Sequence, residues 1–171
     1  MIPVDSKQAP ASFFPVTSYI KGQMLILDSM PVTPLLITTV KGKSDSAWLT
    51  KEKLKLFLQP FLNPVIGETN LMGFFKETRF NDQTLHAITF TYDPPGKLPD
   101  SMSIRHWDVY VDPDKGIVTK VYIVKQLKER DQQLTRQLTW QTDKYAKITT
   151  LRNKQDGGLE LLKEELCVWD F

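Results

Sequence analysis

Hydrophobic and polar positions divide this chain into two regimes. Between Phe14 and Leu62 the apolar residues recur at helical spacing; from about Leu71 to Leu151 they alternate with a period of two. In the first regime Phe14, Ile20, Met24, Leu25 and Leu27 form one helical stripe, Pro15 fits the first turn, and Met30-Pro31 ends it. Leu35 to Lys41 is short and β-branched, which predicts a strand closed by the turn Lys41-Gly42-Lys43. Thr50 is a candidate cap for a second helix running to about Leu62. There Leu54, Phe57, Leu58 and Phe61 share one face, and Asn63-Pro64 stops the helix.

The second regime predicts strands over Met72–Phe80, Thr84–Tyr92, Met102–Val111, Ile117–Gln126, Leu134–Gln141, Tyr145–Leu151 and Leu161–Asp170. Their clearest connection is Asp112-Pro113-Asp114-Lys115-Gly116, where proline presets φ and Gly116 supplies a positive φ. Asp93-Pro94-Pro95-Gly96 and Gln141-Thr142-Asp143-Lys144 punctuate others. The last strand competes with a helix, because Leu159 to Leu166 suits either. The expected fold class is α+β: two N-terminal helices packed on a curved, mostly antiparallel meander sheet of about six to eight strands. Residues 1–12, polar with two prolines, are expected to be a mobile arm, and 13–171 a single domain.

Ile117–Gln126 is apolar on both sides, with Ile117, Val121 and Ile123 on one and Val118, Tyr122 and Val124 on the other. A strand with one wet face alternates more cleanly, so the middle of the sheet is covered on both sides or lines an apolar groove. Tyr110, Val118, Tyr122 and Val124 are the candidate ligand-contacting residues of such a groove.

Composition narrows function mainly by exclusion. A net charge of +2 on 171 residues is too small to predict a nucleic-acid partner. The pairs Arg105/Trp107 and Arg136/Trp140 could stack on bases, but tryptophans so placed more often close a core. Charge is nevertheless uneven. Lys120 to Lys154 carries nine basic residues against three acids, and Gln155 to Phe171 five acids against one lysine, so neighbouring strands are expected to exchange charge. The single Cys167 excludes an internal disulfide and a cysteine zinc site, and it reads as a small buried hydrophobe. No apolar run reaches the ~20 residues of a membrane span. Met1 to Asp5 is not a secretory signal, which leaves a cytoplasmic protein or one whose signal has been trimmed.

Chemistry-bearing motifs are few. The chain has no phosphate loop, nucleophile elbow or paired-histidine motif, so no metal and no cofactor are expected. His86 shares a predicted face with Ile88, Phe90 and Tyr92 and is expected to be partly buried. Pairing Val111 with Ile117 across the turn sets Asp108 opposite Lys120 and His106 opposite Tyr122, with Ile104 and Tyr110 flanking. His106, Asp108, Lys120 and Tyr122 are the catalytic candidates, Asp108 orienting His106 or Lys120 for proton transfer. The competing reading is a cross-strand ion pair on an ordinary sheet face.

Phe13-Phe14-Pro15-Val16 with Tyr19-Ile20 and Gln23, then Leu56-Phe57-Leu58 and Leu62-Asn63-Pro64, and finally Trp169-Asp170, resemble the motifs of a family of uncharacterised lipoproteins from Bacteroidetes-type bacteria. In that family the Phe-Phe-Pro motif opens the mature domain after a lipidated cysteine, and this chain has neither that cysteine nor a signal peptide. The resemblance implies an address, the periplasm or outer membrane, and no reaction. The expected function is therefore a non-enzymatic envelope domain that binds an apolar ligand, such as a lipid, or an envelope protein on its curved sheet. The alternatives are a small enzyme built around His106, Asp108, Lys120 and Tyr122, and an assembly subunit that captures its partner through an edge strand, with the last strand as the element to delete.

Overall fold

A computed structural model describes residues 12–170. The expected arm lies outside the described residues, apart from Ser12. Helix α1 spans Val16–Ser29; a hairpin of β1 (Leu35–Val40) and β2 (Lys43–Trp48) leads into α2 (Lys51–Leu62). Seven strands follow: β3 (Lys76–Asp82), β4 (Ala87–Asp93), β5 (Ile104–Val111), β6 (Val118–Glu129), β7 (Gln132–Gln141), β8 (Tyr145–Asn153) and β9 (Leu159–Val168). All nine form one sheet in the order β2-β1-β9-β8-β7-β6-β5-β4-β3, with every neighbour antiparallel. The α+β arrangement of two helices with an antiparallel meander is present, with one strand more than the upper expectation.

The added strand is β2. Its sequence, Lys-Ser-Asp-Ser-Ala-Trp, has no apolar alternation, and all six residues are exposed. It exists because β1 supplies a complete ladder of partners, from Leu35 opposite Trp48 to Val40 opposite Lys43. The ambiguous C-terminal segment is a strand, held on both sides by β8 and β1. This places β9 inside the sheet, so the edges belong to β2 and β3, and the last strand is not an edge available for capture.

One face of the sheet carries the core. Tyr92 and Trp107, opposite each other on β4 and β5, stack at 4.7 Å, and Phe13 and Phe75 close on them at 4.9 and 4.6 Å. Trp140 of β7 meets Phe61 of α2 at 5.8 Å and Trp169 at 5.2 Å. Ile20 and Val16 of α1 and Leu58 of α2 are fully buried in the same cluster as Val109, Val121, Ile123 and Leu138. Both helices therefore pack on this face. Tyr19 ties α1 to it by donating to the Val118 carbonyl at 3.2 Å.

Thr50 caps α2 as expected, its hydroxyl accepting from the Lys53 amide at 3.2 Å. At the other end, Lys125 reaches out of β6 with its ammonium donating to the carbonyls of Pro60 and Asn63. A buried cation there satisfies two carbonyls that the helix terminus leaves free. Burial and the neighbouring Arg136 hold its pKa down at about 8.

The expected charge exchange takes place mainly between β8 and β9, through Lys147–Glu164 at 3.4 Å and the Arg152–Glu160 pair. Trp107 and Trp140 are buried in the core, so the aromatic–basic pairs offer no stacking surface. No helix among the described residues is long and apolar enough to cross a membrane.

Candidate functional site

The face opposite the helices is formed by the other half of each strand's alternation. On β4 it presents Thr89, Thr91 and Asp93; on β5 His106, Asp108 and Tyr110; and on β6 Lys120, Tyr122 and Val124. No described helix packs on it. Across the sheet it continues through Gln137 and Thr139, Lys147 and Thr149, Leu166 and Val168, to Leu35 and Ile37. Most of these side chains are half-buried.

Its polar centre is an ordered chain of bonds. His106 Nδ1 donates to Asp93 Oδ1 at 2.6 Å, and His106 Nε2 donates to Asp108 Oδ2 at 2.8 Å. Thr91, directly opposite Asp108, donates to its second oxygen at 2.7 Å. The strand pairing explains this arrangement. His106 and Asp108 lie two residues apart on one side of β5, and Asp93 follows Tyr92, the partner of Trp107, so it falls beside His106. With both ring nitrogens donating to carboxylates, the imidazole is a cation. The Asp108 bond, opposed by burial and reinforced by Asp93, raises its pKa to about 9.

The β5–β6 register differs from the expected one. Asp108 faces Tyr122, His106 faces Val124 and Tyr110 faces Lys120. Bulges between Ile104 and His106 and between Tyr110 and Val111 shift the pairing, so that Val111 meets Val118 rather than Ile117. For His106, Asp108, Lys120 and Tyr122 the shift is two residues, and an even shift leaves side chains on the same face. These four residues and Tyr110 therefore remain neighbours. The His106 and Tyr122 rings are 6.3 Å apart edge to face, and the Lys120 ammonium sits 5.1 Å from the Tyr110 ring centre.

Val118 leaves the set. The bulge turns it with Val111 toward the core cluster, so of the four candidate ligand contacts only Tyr110, Tyr122 and Val124 lie on the open face. Val118 belongs to the helix side, so the apolar character of β6 on the open face is carried by Tyr122 and Val124.

His86 is also displaced. It does not share a face with Ile88, Phe90 and Tyr92; it sits in the β3–β4 turn at φ 50°, exposed, with Nε2 2.6 Å from Asp114 Oδ2. His86, Asp112 and Asp114 form the one grouping among the described residues with three metal-capable atoms within 4.8 Å of one another. One oxygen of Asp112 already accepts from the amides of Asp114 and Lys115. Cys167 is buried, and burial pushes its thiol up to about 12, which removes it as a nucleophile.

Asp93 and Thr91 were not singled out from sequence. The signal was available, since Thr89, Thr91 and Asp93 occupy the polar half of an alternation whose other half is Ile88, Phe90 and Tyr92. Asp93 also opens the Asp93-Pro94-Pro95-Gly96 break, where an aspartate reads equally well as a turn residue.

No protein-family model, no curated protein and no solved structure matches this chain.

Proposed function

We propose that this is a non-catalytic binding domain of the cell envelope whose open sheet face receives a protein partner. The observation that carries the reading is the amphipathic surface running through Tyr110, Tyr122, Val124, Leu166, Val168, Leu35 and Ile37, on which no described helix packs. Half-buried aromatic and aliphatic side chains set among threonines and glutamines suit a broad macromolecular contact. The reading favours a partner over a small ligand because the face is open. None of its residues lines the clefts found at the helix layer or at the strand ends.

The electrostatics support binding over catalysis. A general base needs a free lone pair near neutral pH, and His106 has both nitrogens occupied and a pKa of about 9. As a fixed cation held between two acids it stiffens the β4–β5 pair instead. The envelope address rests on the N-terminal resemblance, and cell fractionation with an antibody to the native protein tests it.

A photo-crosslinking residue placed at Val124 or Thr139, and as controls at Glu52 or Gln59 on α2, tests the surface in cells. A discrete adduct from the first pair, absent from the second and abolished by Val124→Arg with unchanged circular dichroism, is the expected result. Adducts of equal yield from both pairs, or none from the open face, would overturn the reading.

A further inference from the structure

The two helices leave a cleft between them, on the side of the molecule away from the open sheet face. It encloses about 320 Å³, lined by Met24, Leu25, Leu27, Leu54 and Leu58. A second cleft of about 360 Å³ adjoins it and runs on to Val32 and Trp48; the two share Leu27, Asp28, Lys51 and Leu54. The trough is apolar along its walls and charged only at its rim. Lys51 is 3.8 Å from the Asp28 carboxylate and donates to the Asp28 carbonyl at 3.1 Å, so the single lining acid is already engaged. The other rim residues are Lys21 and Lys55, both exposed and neither in an ion pair among the described residues.

An apolar trough with an excess of cations at its lip is complementary to one kind of molecule, an aliphatic chain with an anionic head. We propose that the α1–α2 cleft binds a single-chain anionic amphiphile such as a fatty-acid carboxylate, its chain between the helices and its headgroup against Lys21 and Lys55. The enclosed volume is of the order of a single alkyl chain. Hydrogen-bonding side chains other than the charged rim residues are absent from the lining of the inter-helix cleft, which suits methylenes and offers nothing to a sugar or a nucleotide. This site is independent of the sheet face, and either can fail without the other.

Titration calorimetry of the purified full chain with dodecanoate below its micelle concentration tests the proposal. Dodecyl maltoside and dodecyltrimethylammonium, with the same chain, are the comparators. Saturable one-to-one binding of dodecanoate is expected, with the cationic amphiphile at least about tenfold weaker. Shortening the chain to decanoate should weaken binding about fourfold per methylene removed. The double variant Lys21→Glu/Lys55→Glu, which alters two exposed side chains, should weaken dodecanoate about tenfold or more with an unchanged melting temperature. Met24→Trp, which fills the cleft, should remove binding of all three. The proposal is overturned if dodecanoate shows no saturable binding, if the three headgroups bind alike, or if the charge-reversed variant binds as tightly as the native chain. It is also overturned if sealed anionic phospholipid vesicles are bound through these lysines while monomeric dodecanoate is not, which would make the helix layer a membrane-docking surface.

Discussion

His106 makes the stability of this fold depend on pH in a direction that can be worked out in advance. In the native state it donates from both nitrogens to Asp108 and Asp93 and holds its proton to about pH 9, against an ordinary value of 6.5. Between those two values the folded chain keeps a proton that the unfolded chain has released. The stabilisation is therefore complete below about pH 6.5 and is lost as pH rises through about 9. The full interval corresponds to about 3.4 kcal/mol at 1.36 kcal/mol per pH unit, an upper bound because Asp93 is largely exposed and water screens that half of the interaction. About 1–2 kcal/mol is the expected net effect. Urea denaturation followed by tryptophan fluorescence, on native protein and on His106→Gln, isolates it. The stability difference between the two should shrink by that amount from about pH 6 to about pH 9.5. Subtracting the variant removes His86, whose pKa is also raised, by Asp114. Because the chain has only two histidines, NMR titration of the ring protons assigns each directly. Asp108→Asn should lower the His106 value more than Asp93→Asn, since Asp108 is the larger cause. A His106 that titrates at or below 6.5, or a native-minus-variant difference flat across the range, would refute the reasoning.

Other consequences follow from the packing. Lys125→Met removes the donor to the Pro60 and Asn63 carbonyls and should cost about 1–3 kcal/mol, with faster hydrogen exchange in the last turn of α2. The pH dependence of that difference runs opposite to His106: a lysine held at about 8 when folded is still protonated when unfolded up to about 10.5, so its contribution to stability rises with pH across that interval. Phe61→Ala opens a cavity against Trp140 and should cost about 3–5 kcal/mol, read by urea midpoint, with a change in tryptophan emission. Thr50→Ala removes the α2 cap and should cost about 1 kcal/mol, whereas Thr50→Ser should cost little; thermal melts distinguish them.

Much of the architecture was legible because its signals are local. The Asp112–Gly116 turn has the expected chemistry, with Gly116 at φ 65° donating to the Asp112 carbonyl at 2.8 Å. The cap of α2, the stops of both helices, and the alternation of β4 through β8 needed only residues a few positions apart. The faces of His106, Asp108, Lys120 and Tyr122 were also legible despite the wrong register, since the pleat has a period of two and the error was even. Two kinds of feature were not readable. The β2 strand carries no pattern of its own and is made by its partner. His86 moved from a strand face to a turn because the β3–β4 connection extends three residues further than its apolar pattern implied.

By itself, then, the sequence determined the order and type of most elements, the polar half of most strands, and the absence of familiar catalytic motifs. Tertiary structure decided which polar halves meet. Bulges in β5–β6 sent Val118 to the core and set Asp108 against Tyr122, and the β4–β5 register brought Asp93 and Thr91 to the two sides of the His106–Asp108 pair. It also decided that β9 is interior, since only the return of β1 to its outer side removes that edge. The physical reason is one of range. Turn dihedrals and side-chain alternation are fixed by neighbours along the chain, whereas bulges, registers and the cation held between two acids depend on which distant strand offers the better-matched ladder.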